Sequence, residues 1–273
     1  MPLVNFNKML SDAQKKKRAV AAINIANIET LTALVAAAEE TESPIVIQVY
    51  HRLMSNKSMR GLAAAAIAMA SEAKVEIAFH LDHGASLDQI RMAVDMGFSS
   101  VMLDGSNLPF QENVAVTTKA VEIAHEAKLS IEGEIGQILS ASDDIPCCNP
   151  EEAIKFAEET RVDALAAAVG SAHGSYKKEP SLSFEIMDRI SAAISVPLVL
   201  HGGTGIPDAQ IRKAIAHGVA KVNIATEFQN LFLDETRALL SQTEGFRPLD
   251  VFFGPVTNKL KDYVKGRIEL LRN

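Results

Sequence analysis

The sequence predicts an α/β protein built as one closed barrel of eight parallel strands, a (β/α)8 or TIM barrel. Short apolar segments alternate eight times with segments of helical periodicity, and no Pro-, Gly- or Ser-rich linker divides the chain. Its 273 residues match the size of one such barrel. An open doubly wound sheet is the structural alternative, and the length would also fit two ordinary domains.

The predicted strands are short and mostly apolar, as expected of parallel strands covered on both faces. They span residues 19–25, 44–50, 75–81, 99–104, 129–134, 164–169, 197–200 and 221–224. Helical patterns between them cover residues 30–40, 87–96, 113–127, 184–194 and 208–216. We therefore predict a single barrel domain over residues 1–273. Residues 246–273 would form a C-terminal helical extension that packs on a neighbouring subunit or acts as a lid.

Several helix boundaries are marked by capping residues. Asn149 followed by Pro150 combines an N-cap residue with a proline in the first turn, and Pro207 before Asp208 predicts a similar start. Gly97 and Gly218 follow helical segments, where a left-handed C-terminal residue is expected.

Composition excludes several classes of protein. The net charge of −7, without a dense basic stripe, argues against a nucleic-acid or anionic-membrane partner. The longest apolar stretch, residues 62–70, is too short to span a bilayer, and the amino terminus lacks the apolar core of a signal peptide. The only cysteines, Cys147 and Cys148, are adjacent, which excludes a disulfide framework. These observations predict a cytoplasmic protein.

Three histidines follow predicted strands, and each precedes a glycine: His83, His173 and His201. The carboxyl ends of the strands form the active site in barrels of this kind. Three imidazoles with one open position are a common catalytic zinc arrangement, because a closed shell would block the substrate. The pattern therefore predicts a zinc site, with hydrogen-bonded structural histidines as the alternative.

Asp82 directly precedes His83 and is the candidate general acid/base. Because neighbouring residues of a strand face opposite sides, we expect the two side chains to point in different directions. Orientation of a ligand histidine is the alternative role for this carboxylate.

The loops after strands seven and eight form the usual phosphate pocket of such barrels. Here they contain Gly202-Gly203-Thr204-Gly205 and Asn223-Ile224-Ala225-Thr226. Backbone N–H groups of the first loop, with a helix predicted to begin near Pro207, would present donors and a positive dipole end to an anion.

A metal, a phosphate pocket and one proton-transferring carboxylate suggest chemistry next to a carbonyl. A Lewis-acid metal on a ketone oxygen stabilises the enediolate that forms when a neighbouring C–C or C–H bond breaks. Breaking the C–C bond is an aldol cleavage, in which Asp82 would take the hydroxyl proton of the aldehyde half. In the reverse condensation Asp82 would return that proton.

Five motifs resemble the class II, metal-dependent fructose/tagatose-bisphosphate aldolase family, across nearly the whole chain. They are LDHG at 81–84, EGEIG at 132–136, GSAHGSYK at 170–177, LHGGTGI at 200–206 and VAKVNIATE at 219–227. The resemblance implies reversible cleavage of a ketose (bis)phosphate to dihydroxyacetone phosphate and an aldehyde. It implies zinc on His83, His173 and His201, with Asp82 as the proton donor.

The resemblance also implies further site residues and partners. Asp104 and Glu134 match positions that hold a second divalent ion, and a monovalent cation, Na⁺ or K⁺, would lie near the phosphate. Family members are homodimers or homotetramers. The residues implied in binding dihydroxyacetone phosphate are Gly174, Gly202, Gly203, Thr204, Asn223, Ile224, Ala225 and Thr226.

Two segments depart from the family pattern and leave the aldehyde partner open, with fructose 1,6-bisphosphate as only one candidate substrate. The family usually has an acidic Gly-Gly-x-Glu-Asp loop after strand five, for which Asp143 or Asp144 would have to substitute. After strand two, a small hydroxyl residue and glycine are replaced by Tyr50-His51-Arg52. Arg52 would offer a planar fork to a carboxylate, a sulfonate or a second phosphate. A solvated surface arginine is the alternative.

Three other functions remain as hypotheses. A Schiff-base aldolase needs a desolvated lysine, and the only candidate, Lys221, lies at the start of predicted strand eight, the wrong end. Metallohydrolase barrels often carry His-x-His on the first strand, but residues 19–27 contain no histidine. A non-catalytic sugar-phosphate-binding barrel is conceivable because the acidic loop is missing.

Overall fold

A computed structural model describes residues 3–140, 145–242, 245 and 248–272. The strands are β1 Val20–Asn24, β2 Ile45–Tyr50, β3 Ile77–Gly84, β4 Ser100–Leu103, β5 Ser130–Ile135, β6 Ala164–Ala167, β7 Leu198–Leu200 and β8 Val219–Ile224. They pair in parallel and in chain order, and β8 pairs with β1, which closes the sheet. The predicted eight-stranded β/α barrel is confirmed, and the open sheet is excluded.

Helices alternate with the strands around the outside of the barrel. They are α1 Asn7–Lys15, α2 Ile28–Glu40, α3 Met59–Glu72, α4 Leu87–Asp95, α5 Phe110–Glu126, α6 Pro150–Thr160, α7 Phe184–Ala193, α8 Asp208–Ala216, α9 Thr226–Ser241, α10 Leu249–Phe252 and α11 Gly254–Arg272. A short 3-10 helix, His51–Ser55, follows β2. Among the described residues, no helix has both the length and the apolar character needed to cross a bilayer.

The capping residues mostly act as predicted. The side chain of Asn149 accepts the N–H of Glu151 at 2.9 Å, and α6 begins at Pro150. Gly97 and Gly218 have φ of +83° and +105° just beyond α4 and α8. The start of α8 differs, because Pro207 is itself the N-cap and makes no side-chain cap bond.

The interior of the barrel contains a polar layer as well as aliphatic side chains. Every residue of β3, β5 and β8 is buried. The fully buried polar side chains on the strands include Gln48, His80, Ser100, Glu132 and Lys221. This layer supports the side chains that emerge at the carboxyl ends of the strands.

Helix α11 packs on its own barrel. Val256, Leu260 and Val264 are buried on its apolar face, and Lys261 and Lys265 pair with Glu40 of α2 at 2.6 and 2.7 Å. One face of the helix is thus used within the chain, and the roles as a subunit contact or a lid stay predictions. Residues 246, 247 and 273 of the predicted extension lie outside the described residues, and the one-domain assignment stays a prediction.

Candidate active site

The three predicted histidines converge at the carboxyl-end mouth of the barrel. The ring centroid of His83 lies 4.9 Å from that of His173 and 4.8 Å from that of His201. One ring nitrogen of each lies within 4.8 Å of those of the other two. This spacing allows a single ion to contact all three imidazoles.

Two of these imidazole rings are hydrogen-bonded to carboxylates through one ring nitrogen. His83 Nδ1 lies 2.8 Å from Asp104 Oδ2, and His201 Nε2 lies 2.7 Å from Glu132 Oε1. An ionised carboxylate only accepts hydrogen bonds, so these two ring nitrogens carry the hydrogens. His83 Nε2 and His201 Nδ1 lie 3.0 Å apart. A charged His83 donates its Nε2–H to His201 Nδ1, whereas two neutral rings direct lone pairs at each other, an arrangement that a shared cation would relieve. Carboxylate partners of this kind commonly orient ligand histidines.

The surroundings of His83 attract positive charge. Burial alone lowers the pKa of His83, but the nearby carboxylates of Asp82, Asp104 and Glu134 raise this pKa to about 10. Burial and the two neighbouring imidazoles lower the pKa of His173 to about 4. A buried group of carboxylates and imidazoles of this kind suits a divalent cation.

A local break in β3 directs Asp82 and His83 into one cavity. His83 has a φ of 52°, in the left-handed region, and the register between β3 and β4 shifts between Leu81 and Gly84. Asp82 Oδ1 consequently lies 4.0 Å from His83 Nε2. The expectation that the two side chains would point in different directions is wrong, because strand alternation fails at this irregularity. A Cβ at Gly84 would collide with the carbonyl oxygen of Met102 on β4, so the close approach of the two strands requires glycine.

Two asparagines on β1 and β8 hold the carboxylate of Asp82. Asn24 Nδ2 donates to Asp82 Oδ2 at 2.8 Å, and Asn223 Nδ2 lies 3.4 Å from Asp82 Oδ1. Burial raises the pKa of Asp82, but the charges of His83, His201 and Lys221 hold this pKa below its ordinary value. The side chain is therefore an ionised carboxylate, held in position on the wall of the cavity.

A buried ion pair lies behind His201. Lys221 Nζ donates to Glu132 Oε2 at 2.7 Å, and both side chains are fully buried. Lys221 and His201 hold the pKa of Glu132 well below its usual range, although burial raises it. Lys221 is not among the residues that line the cavity beside the histidines. An ammonium in this position does not suit Schiff-base formation.

Asp104 and Glu134 form a second group with His83. Glu134 Oε2 lies 3.8 Å from His83 Nδ1, and one ligand atom of each of the three residues lies within 4.8 Å of the others. Burial and the charge of Asp104 raise the pKa of Glu134 to about 8. Asp104 Oδ1 also accepts the N–H and O–H of Ser106. The group remains a candidate for a second divalent ion, although Asp104 already orients His83.

A cavity of about 530 Å³ lies at the barrel mouth beside the histidines. Gly203 and Ile224 lie off its lining, because the N–H of Gly203 donates to the carbonyl of Asn223 at 2.9 Å and Ile224 is buried in the core. Gly202 has a φ of +64°, and a Cβ there would collide with the carbonyl oxygen of Ala172. The predicted phosphate-loop residues on the lining are Gly174, Gly202, Thr204, Asn223, Ala225 and Thr226.

The helix that opens onto this cavity is α9. Its N-cap is Ala225, which has no side-chain cap, and the N–H of Glu227 donates to Thr204 Oγ1 at 3.3 Å. The sequence predicts that α8 presents its amino terminus to the anion, but residues 205–208 do not line the cavity. Asp208 instead lies 3.5 Å from Arg267 of α11. The positive end of a helix dipole therefore comes from the element after β8.

Tyr176 joins two of the loops around the cavity. Its hydroxyl accepts the N–H of Ala172 at 2.8 Å and donates to the carbonyl of Gly202 at 3.0 Å. This phenol fixes the segment that carries His173 relative to the segment that carries His201.

Sequence reasoning missed several of these residues. Asn24 ends β1, where the rule that selected the other strand-end side chains also applies. Glu132 and Tyr176 lie inside the EGEIG and GSAHGSYK motifs, but nothing local shows which atoms they contact. Asp143 and Asp144 lie outside the described residues, so the prediction about the altered loop stays untested.

Comparison with known proteins identifies the family. Residues 4–273 match the family described as fructose-bisphosphate aldolase class-II. The chain belongs to this family. It is 40% identical to the fructose-bisphosphate aldolase of Staphylococcus aureus strain Mu50, over 98% of this chain and 97% of that protein. It is also 40% identical to a probable fructose-bisphosphate aldolase of Bacillus subtilis strain 168, with the same two coverages.

A solved structure supports the same class II aldolase assignment. The YdjI aldolase of Escherichia coli K12 superposes with a TM-score of 0.90 at 34% identity, covering 98% of this chain and 97% of that one. The predicted resemblance is thus confirmed, and the chain is an aldolase of the class II family. Histidines, carboxylates and the cavity occupy the barrel mouth, the end at which such barrels carry their active sites.

Proposed function

We propose that this class II aldolase uses zinc to cleave a ketose phosphate or bisphosphate reversibly into dihydroxyacetone phosphate and an aldehyde. The observation that carries the proposal is that Asp82 and all three histidines line one cavity with the loops after β6, β7 and β8. A metal site, a proton acceptor and a set of backbone donors therefore face the same small molecule.

His83, His173 and His201 would hold the zinc ion, and the short separation of His83 Nε2 from His201 Nδ1 fits that role. When bound, zinc polarises a substrate carbonyl and stabilises the negative charge that develops there when the neighbouring C–C bond breaks. Asp104 and Glu132 keep two of the imidazoles in the required tautomer and orientation.

Backbone and side-chain donors of the loops would hold the phosphate of dihydroxyacetone phosphate. Gly174, Gly202, Thr204 and Thr226 lie on the cavity wall, next to the amino end of α9. The dipole and N–H groups of a helix start favour an anion there. A monovalent cation, Na⁺ or K⁺, near this phosphate is a further part of the proposal.

Asp82 moves the proton. In cleavage it takes the hydroxyl proton of the aldehyde half, and in condensation it returns that proton. Asn24 keeps the carboxylate aimed, and the positive charges around it keep it ionised. A positioned general base of this kind contributes roughly 10²- to 10⁴-fold to a rate.

The proposal is tested by an aldol assay of zinc-loaded and chelator-treated protein, with dihydroxyacetone phosphate and a panel of aldehydes. We expect chelator to abolish C–C bond formation, zinc to restore it, and Asp82→Asn to lower kcat by at least about 100-fold. Asp95→Asn, at an exposed position on α4, is the matched control. Activity that survives chelation, together with borohydride trapping of the enzyme, would instead indicate a Schiff-base aldolase.

Two other outcomes separate the remaining alternatives. Release of inorganic phosphate from a sugar phosphate, without formation of a triose phosphate, would identify a metallohydrolase. Binding of sugar phosphate without turnover in either wild type or Asp82→Asn would identify a non-catalytic binding barrel.

We further propose a cytoplasmic homodimer or homotetramer. Leu233 and Leu240 on α9 and Leu249 and Val251 on α10 are exposed large apolar side chains. Contiguous apolar surface commonly marks interfaces between proteins. Sedimentation of the protein will report the number of subunits.

A further inference from the structure

The segment after β2 places one cationic side chain on the wall of the active-site cavity. Arg52 lies in the 3-10 helix His51–Ser55 and lines the same cavity as Asp82. Its guanidinium carbon lies 4.9 Å from the ring centroid of Tyr50. Among the described residues, no carboxylate pairs with this guanidinium, so its N–H donors are available to a ligand.

Tyr50 links the position of Arg52 to the catalytic centre. The Tyr50 ring is half-buried, and its centroid lies 5.8 Å from that of His83. A guanidinium that stacks on an aromatic face loses less freedom when it binds a ligand, and its planar fork matches an oxyanion. Tyr50 therefore lies between Arg52 and His83, a predicted zinc ligand, and contacts both.

Arg52 follows β2, a strand that no phosphate loop follows, and in the closed barrel β1 separates β2 from β8. β2 lies between β1, which carries Asn24, and β3, which carries Asp82 and His83. The loops proposed to bind the triose phosphate follow β6, β7 and β8 instead. Arg52 is the only lysine or arginine among the described residues that line the cavity. The cavity thus has a cationic side chain after β2, next to the strand that carries Asp82, and loop residues after β6, β7 and β8 on the rest of its wall.

We propose that Arg52 binds a terminal oxyanion on the aldehyde half of the substrate and so determines the substrate class. This inference rests on the proposed aldolase function, in which Asp82 acts on the hydroxyl of that same half. The preferred aldehydes carry a carboxylate, a sulfonate or a phosphate at the end remote from the carbonyl. A substrate that bridges the cavity would have one anion at the phosphate loops and the other at Arg52.

The test compares aldehydes of equal length that differ only in their terminal group: hydroxyl, carboxylate, sulfonate or phosphate. Each is condensed with dihydroxyacetone phosphate by zinc-loaded wild type, Arg52→Gln and Arg52→Lys. Arg60→Gln, at an exposed position on α3 away from this cavity, is the matched control. The KM of each aldehyde, the KM of dihydroxyacetone phosphate and kcat are measured separately.

We expect Arg52→Gln to lower kcat/KM for the charged aldehydes by about 10- to 100-fold, mainly through KM, because a charge-assisted hydrogen bond is lost. The neutral aldehyde and the KM of dihydroxyacetone phosphate should change by less than about twofold. Arg52→Lys should recover part of the loss, because it keeps the charge but not the fork. The anion whose kcat/KM falls most identifies which terminal group the enzyme uses.

Three results would overturn the inference while leaving the aldolase function intact. If Arg52→Gln leaves kcat/KM unchanged for every aldehyde, Arg52 is a solvated surface residue. If kcat/KM falls equally for all aldehydes, the substitution has a general structural effect. If only the KM of dihydroxyacetone phosphate rises, Arg52 binds the triose phosphate. Absence of condensation by wild type with every aldehyde would instead refute the proposed function itself.

Discussion

The Nε2 atom of His83 and the Nδ1 atom of His201 face each other across 3.0 Å at the mouth of the barrel. The second nitrogen of each ring meets a buried carboxylate, Asp104 or Glu132. The orientation of both imidazoles is therefore set from behind by acidic side chains. Changing either carboxylate should therefore alter properties that can be measured without an activity assay, namely zinc affinity and the free energy of unfolding.

Asp104→Asn should weaken zinc binding, because the neutral amide orients and polarises His83 less well than a carboxylate. Loss of such a partner typically costs about 10- to 100-fold in metal affinity. Competition with a chromophoric chelator will measure the dissociation constant. Asp95→Asn, an exposed change on α4, is the control. An unchanged zinc affinity would show that Asp104 does not orient the ligand.

The buried pair of Lys221 and Glu132 should couple in a double-mutant cycle. Removing one partner leaves an uncompensated buried charge, which costs roughly 3–5 kcal/mol. We therefore expect Lys221→Met and Glu132→Gln each to lower the free energy of unfolding in urea by about this amount. The double variant should be more stable than the sum of the two losses predicts.

Metal-free protein is used for this cycle, so that altered zinc affinity does not enter the result. Lys259→Met, at an exposed position on α11, should change the free energy of unfolding by less than about 0.5 kcal/mol. Strict additivity of the two single changes would contradict an energetic link between Lys221 and Glu132.

Asn24→Ala should lower kcat by about 10-fold, with a smaller change in either KM, because Asp82 loses the 2.8 Å hydrogen bond that aims it. Steady-state kinetics with saturating dihydroxyacetone phosphate will separate the two parameters. Asn258→Ala, exposed on α11, is the comparison variant. Equal kcat for Asn24→Ala and wild type would mean that Asn24 does not position Asp82.

The two cysteines should differ in their reaction with an alkylating reagent. Burial raises the pKa of the Cys148 thiol to about 12, and it also raises the pKa of the exposed Cys147. Because the thiolate is the reactive form, alkylation accelerates as the pH rises toward each pKa. At pH 8 we expect one slow modification per native chain and two after denaturation, counted by mass spectrometry. Cys147→Ser should abolish the native modification, and labelling of Cys148 in that variant would contradict its burial.

Much of the site was predictable from local patterns. Apolar segments alternating with helical ones predict the barrel, and the carboxyl ends of its strands are the place where catalytic side chains collect. That rule selected Asp82, His83, His173 and His201, and applied to β1 it would also have selected Asn24. Strand alternation does not predict the side-chain directions of Asp82 and His83, because the left-handed backbone at His83 interrupts the alternation along β3.

Composition, periodicity and motif spacing were enough to predict the barrel and the family, and to select the histidines and the aspartate that meet at its mouth, because those properties follow from neighbours along the chain. Contacts between distant strands were not encoded in any local pattern. Three features depend on how the closed barrel brings its elements together. They are the hydrogen bond from Lys221 of β8 to Glu132 of β5, the position of α9 rather than α8 at the cavity, and the stacking of Arg52 on Tyr50. Burial and distance set those interactions, and both arise only when the sheet closes.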